Sequence, residues 1–174
     1  MLPLPRLAAA AAALLLLASP LAATLPEGTT WTLEGYRKVT TSAAGARNVE
    51  EGTDTAFLAL PGEGTFTLAL DSEPEGGYAG TFADKGRTTR FTIDPASQDA
   101  FLANLLRAID STGVTVVEYD PPAWTVRARP LPKRAGEGIR LTMSMRWKVL
   151  TEFRGQTMRI GVRLVGDYRG PPDA

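Results

Sequence analysis

Basic side chains near the C-terminus fall on one parity of two alternating runs: Arg140, Arg146 and Lys148 in the first, Arg159 and Arg163 in the second. A guanidinium donates paired hydrogen bonds to a carboxylate or phosphate. If the two runs are neighbouring strands, these five side chains therefore form a candidate anion-binding face, and Arg127 and Arg129 alternate in the same way on a preceding run. A second set is apolar and aromatic. Tyr78, Phe82, Phe91, Trp124, Met143, Met145 and Trp147 share the inward phase of their strands and are the candidate interior for an apolar ligand. Carboxylates are adjacent at Glu50 and Glu51 and cluster at Asp71, Glu73 and Glu75, where acid–base work on a sugar or calcium binding is conceivable in principle. They stand in turn-like, solvated segments without the spacing of a calcium loop, so no catalytic residue and no metal site is assigned to them.

Two residue types are missing altogether. The 174 residues contain no cysteine and no histidine. Disulfides, thiol nucleophiles, Cys-ligated zinc, Ser-His-Asp triads and any side chain that titrates near neutrality by default are thereby excluded. The sequence calls for no cofactor, and a binding or structural role outranks catalysis. Its 19 basic and 19 acidic groups balance, but the balance is an average. Residues 24 to 120 hold 7 basic and 15 acidic groups, and residues 121 to 174 hold 11 and 4. Two readings follow: the halves pair across the sheet, or the C-terminal part keeps a free basic face. Nucleic acid is a poor partner for that face, since the domain is not basic overall and carries no recognition motif.

The elements that must position these residues are mostly strands. Period-two alternation broken by glycine-rich turns runs through most of the chain. Trp31 to Thr41 reads as the first strand, followed by a loose segment from Ser42 to Gly52. Ala56, Leu58 and Leu60 share a face with Phe66, Leu68 and Leu70 across the turn Pro61 to Gly64. Asp84-Lys-Gly-Arg87 is a hairpin signal that pairs Asp84 with Arg87, Phe82 with Thr89 and Gly80 with Phe91. Asp94-Pro95 opens the one helix, about residues 95–110, with Asp94 as N-cap and an apolar stripe of Phe101, Leu102, Leu105, Leu106 and Ile109 that covers a sheet face or closes a barrel end. Val114 to Tyr119 is a short strand, Asp120-Pro121-Pro122 turns the chain, and Trp124 to Arg129 returns. The longest alternation, Ile139 to Val149, pairs with Met158 to Val165 around Arg154-Gly155, which sets Met145 opposite Leu164 and Arg146 opposite Arg163. Like charges directly opposite destabilise a sheet, so compensation is expected. The expected fold class is mainly β: an antiparallel meander of about nine strands forming a barrel or sandwich, with one helix between strands.

Residues 1–23 have the organisation of a secretory signal peptide: Arg6, an apolar run from Leu7 to Leu17, and the helix breakers Ser19 and Pro20. The run is shorter than the ~20 residues of a membrane helix. The expectation is a single β-rich domain, residues 24–174, periplasmic or secreted, with no membrane span after signal removal. Arginine far exceeds lysine, a usage that fits a GC-rich bacterial genome.

Gly28-Thr-Thr-Trp31 opens the first strand, and with the mature length and strand run the chain resembles the lipocalin or calycin group of small exported barrels. The glycine-to-tryptophan spacing is one residue longer than in that group, and the helix precedes the last strands rather than following the barrel. By analogy the resemblance implies binding of a lipid or other apolar ligand. Two roles thus stand: a module holding an apolar or amphipathic ligand inside a barrel, and a structural or interaction protein of the cell envelope with a filled core whose arginine face docks on an acidic envelope polymer.

Overall fold

The computed structural model describes residues 25–73, 76–132 and 137–174. The expected signal peptide lies outside them. Strands β1 (Thr29–Ala43), β2 (Ala46–Gly62), β3 (Thr65–Leu70), β4 (Gly77–Lys85) and β5 (Thr88–Ile93) precede helix α1 (Pro95–Asp110). After it come β6 (Thr115–Tyr119), β7 (Ala123–Pro130), β8 (Ile139–Phe153) and β9 (Gln156–Gly170). All pairings are antiparallel neighbours in a meander, and β9 returns to pair with β1, closing a barrel rather than a sandwich. Closure removes the free edges of the barrel itself, while β2 keeps an open edge from Ala46 to Asp54, where only β1 pairs with it. Among the described residues no helix is long and apolar enough to cross a membrane.

Turn chemistry sets the hairpins. Ala44-Gly45, Glu63-Gly64 and Arg154-Gly155 all carry positive φ at both central positions, the requirement of the tight turn whose twist matches the strands it joins. The last of these fixes the β8–β9 ladder in the expected register, with Met145 opposite Leu164, Trp147 opposite Val162 and Arg146 opposite Arg163.

Three local expectations are corrected. The segment Ser42 to Gly52 is not loose: it forms the tip of the β1–β2 hairpin, with Lys38 opposite Glu51 and Thr40 opposite Val49. Both faces of β2 are exposed from residue 46 to residue 53, so no alternation betrays the strand. At the β4–β5 corner Lys85 pairs with Thr88, Asp84 with Thr89 and Phe82 with Phe91. Gly86, at φ +66°, occupies the first corner position. A two-residue offset preserves the inward face, and the register gained sets the Phe82 and Phe91 rings 5.9 Å apart, with Phe66 at 4.9 Å from Phe91. Finally, Asp120-Pro121-Pro122 does not reverse the chain. Strands β6 and β7 run in tandem along the same edge of β8, as one strand interrupted where proline cannot donate to the ladder.

Inward residues fill the lower barrel, the end that carries the β2–β3 and β4–β5 corners. Leu33, Leu58, Leu60, Leu68, Leu141 and Met143 there are essentially inaccessible to solvent. At the upper end β1, β2, β8, β9 and β6 extend beyond the barrel as a flap, and α1 lies across the mouth. The helix starts where expected, but the Asp94 side chain makes no capping bond. Its N-terminal turn is instead pinned by Ser97 Oγ, which accepts from the Ala79 N–H at 3.0 Å, and by Gln98 Nε2, which donates to the Ile93 carbonyl at 2.8 Å. No residue of the helix is fully buried.

Candidate ligand-binding site

Between α1 and the barrel mouth lies a cavity of about 640 Å³. The helix contributes Phe101, Leu105 and Ala108 as its roof; β1 supplies Val39, and β8 and β9 supply Met145, Val162 and Leu164 as its wall. Phe101 fastens the roof at one end, with its ring centroid 4.9 Å from Trp124 and 5.9 Å from Tyr78. Tyr78 and Trp124 are 5.1 Å apart and complete the aromatic triad.

One end of the cavity is polar. Alternation along β1 places Arg37 in phase with Trp31 and Leu33, pointing inward, and glycine stands opposite it on both neighbours, Gly52 and Gly166. An inward charge needs a partner. Glu73 supplies it: Oε1 accepts from an Arg37 terminal nitrogen at 2.6 Å, and Oε2 accepts from the Tyr78 hydroxyl at 2.5 Å. Burial, followed by the Glu73 carboxylate, pushes the Tyr78 phenol well above its ordinary range, so it remains a donor.

A second network lies beside the first. Asp54, in phase with Ala56 and Leu58, is buried, and its Oδ2 accepts from the Tyr168 hydroxyl at 2.8 Å and from Ser72 Oγ at 2.9 Å. Its Oδ1 accepts from the N–H groups of Ser72 and Thr55, each at 3.0 Å. Burial and the bond to Asp54 push the Tyr168 phenol up as well. Gly166 makes room for that tyrosine: a Cβ there would come within 2.5 Å of Tyr168 Cε2 and 2.8 Å of Met143 Cγ. Asp54 is fully satisfied and reads as a brace that fixes the mouth.

Of the seven candidate interior residues, the structure places Tyr78 and Met145 on the cavity lining. Phe91, Met143 and Trp147 are buried in the main core, and Phe82 and Trp124 are half-buried against it. Composition drew attention to the aromatic set, passed over Arg37, Asp54, Ser72 and Tyr168, and set Glu73 aside as a solvated turn carboxylate, whereas the structure holds it largely buried between Arg37 and Tyr78. A signal was present: Arg37 and Asp54 interrupt apolar stripes without leaving their phase.

The candidate anion-binding residues do lie together on the outer wall of β8 and β9. Arg140 is the exception to their common state. It binds Asp167 through two bonds, Nε to Oδ1 at 2.7 Å and a terminal nitrogen to Oδ2. That bond holds the Asp167 carboxyl below its ordinary range and raises the guanidinium. Arg146, Lys148, Arg159 and Arg163 are exposed and have no ion-pair partner among the described residues. Like-charged pairing recurs on this wall, with Arg90 opposite Arg127, Arg129 opposite Arg140, and Arg140 opposite Arg169. Among the described residues, the acidic and basic parts of the chain do not neutralise each other through direct pairs. Arg37–Glu73 and Lys38–Glu51 lie within the first part, and Arg140–Asp167 and Arg169–Asp167 within the second.

No protein-family model, curated protein or solved structure matches the chain. The closed antiparallel barrel is compatible with lipocalin-like architecture.

Proposed function

We propose that this protein is an exported binding module that holds an apolar or amphipathic small molecule between α1 and the barrel mouth. The carrying observation is the cavity itself: about 640 Å³, walled mainly by apolar side chains and roofed by a helix none of whose residues is fully buried. Its size falls in the range of small-molecule sites. An apolar occupant would take the contacts that the helix stripe lacks, with an expected gain of roughly 25 cal/mol for each Å² removed from water. The filled lower barrel puts the site at the mouth rather than in the lumen, which refines the calycin analogy. A binding role rather than catalysis fits the polar groups: both phenols are held protonated, and Asp54 has its acceptor positions occupied.

A native mass spectrum of the protein purified without detergent tests this reading. A retained small molecule, lost on organic extraction and regained on adding extract back, is the expected result. A spectrum of bare protein that no extract shifts would overturn it.

One observation favours a second role for the outer wall. Arg146 opposite Arg163, with neither in an ion pair among the described residues, supports docking on an acidic envelope polymer. Retention of the protein on a polyanionic resin, lost in Arg146→Ser/Arg163→Ser, is the check.

A further inference from the structure

The polar end of the cavity narrows the class of ligand. Among the described residues Arg37 and Arg107 line the cavity together with a single carboxylate, Glu73, so that lining carries one excess positive charge. Glu73 is held on both oxygens, by Arg37 and by the Tyr78 hydroxyl. Arg37 spends one terminal nitrogen on Glu73, and its Nε is buried with no acceptor among the described residues. A guanidinium has five N–H donors in a planar fork, so donor capacity remains at the cavity wall. Arg107, from the last turn of α1, bonds its neighbour Asn104 at 3.0 Å, its one side-chain bond among the described residues, and stays exposed at the cavity edge. The rest of the lining is mostly apolar, with Val39, Leu105, Met145 and Val162.

We infer that the occupant is a single-chain amphiphile with a monoanionic, carboxylate-type head, its chain under α1 and its head at Arg37, with Arg107 adding positive charge at the cavity edge. The inference rests on the cavity-binding reading and adds charge selection to it. A neutral head such as a hydroxyl can accept a bond from an arginine but leaves the excess positive charge unbalanced, and a cationic head would meet that charge directly. An anionic head receives charge-assisted bonds in a partly dehydrated site, where they are stronger than neutral ones.

Competition for a neutral naphthylamine fluorophore by dodecanoate, dodecanol and dodecyltrimethylammonium tests it. Dodecanoate is expected to displace the fluorophore at about tenfold lower concentration than dodecanol, and the cation least well. Arg37→Met should bring dodecanoate close to dodecanol while leaving dodecanol unchanged. Because that substitution leaves Glu73 without its partner and can harm folding, Arg107→Gln on the exposed helix surface serves as the second variant. A several-fold loss for dodecanoate alone is expected there. Equal displacement by dodecanoate and dodecanol in the unaltered protein overturns the charge selection but keeps the cavity reading. So does an Arg107→Gln protein whose preference for dodecanoate is undiminished. If the fluorophore itself does not bind, both readings fall.

Discussion

The two ends of the barrel are built from the same alternating strands and solve different problems. In the lower half, inward positions are apolar, among them Leu33, Leu58, Leu60, Leu141 and Met143, and these have near-zero exposure. In the upper half the same inward phase carries Arg37 and Asp54, glycine at positions 52 and 166, and a half-buried helix in place of a closed layer. The lower half secures stability by burial. The upper half gives some of that up for a lined space with a fixed polar end. The contrast teaches that the place to look for function in such a barrel is where polar residues keep the inward phase.

Substitutions should separate the two ends by size of effect. The largest loss is expected in the filled half. Leu141→Ala, at a position with no solvent exposure, should cost about 2–5 kcal/mol in denaturant unfolding, whereas Leu105→Ala over the cavity should cost about 1 kcal/mol or less because its surroundings are already open. Equal losses would erase the distinction between the ends. Gly166→Val comes next. The added side chain meets Tyr168 and Met143, so about 1–3 kcal/mol of destabilisation is expected, with a change in tyrosine fluorescence or near-ultraviolet dichroism as Tyr168 leaves Asp54.

The outer wall provides smaller effects. Asp167→Asn should cost about 1–2 kcal/mol near neutrality, since it removes the charge from a two-bond ion pair. Asp167 is held below its ordinary range by Arg140. Its contribution is therefore complete above the unfolded value of about 4 and is lost as pH falls through the lower, folded value. The acid limb of the stability curve should be shallower in Asp167→Asn than in the parent protein. Smallest of all, Arg146→Ser should be neutral or stabilising by about 0.2–1 kcal/mol at low salt, because Arg163 stands directly opposite, and the effect should shrink as salt is added.

Legibility of the fold tracked how many faces of a strand meet the core. The β8–β9 register follows from unbroken alternation and a turn that admits positive φ at both corners, and the helix from Asp94-Pro95 and its stripe. The β1–β2 tip was hidden because Arg47, Asn48, Glu50 and Glu51 see solvent on both sides. The β4–β5 offset was hidden because a two-residue shift leaves the faces unchanged and only ring packing distinguishes the registers. The tandem arrangement of β6 and β7 depends on β8 being long enough to serve both, which no local pattern encodes. At the site, Tyr78 and Met145 were legible as inward residues. Arg37 and Glu73 were not, since their pairing joins β1 to the segment before β4, a contact set by closure of the barrel.

The most direct test of a ligand cavity at the mouth is titration of the unaltered protein and of Leu105→Trp with a neutral naphthylamine fluorophore. Leu105 forms part of the cavity roof, and the indole fills the space without touching the lower barrel. Saturable binding at one site in the unaltered protein, lost in Leu105→Trp while its unfolding midpoint is maintained or raised, is the predicted result. Binding of equal strength in both proteins, or in neither, would contradict the account.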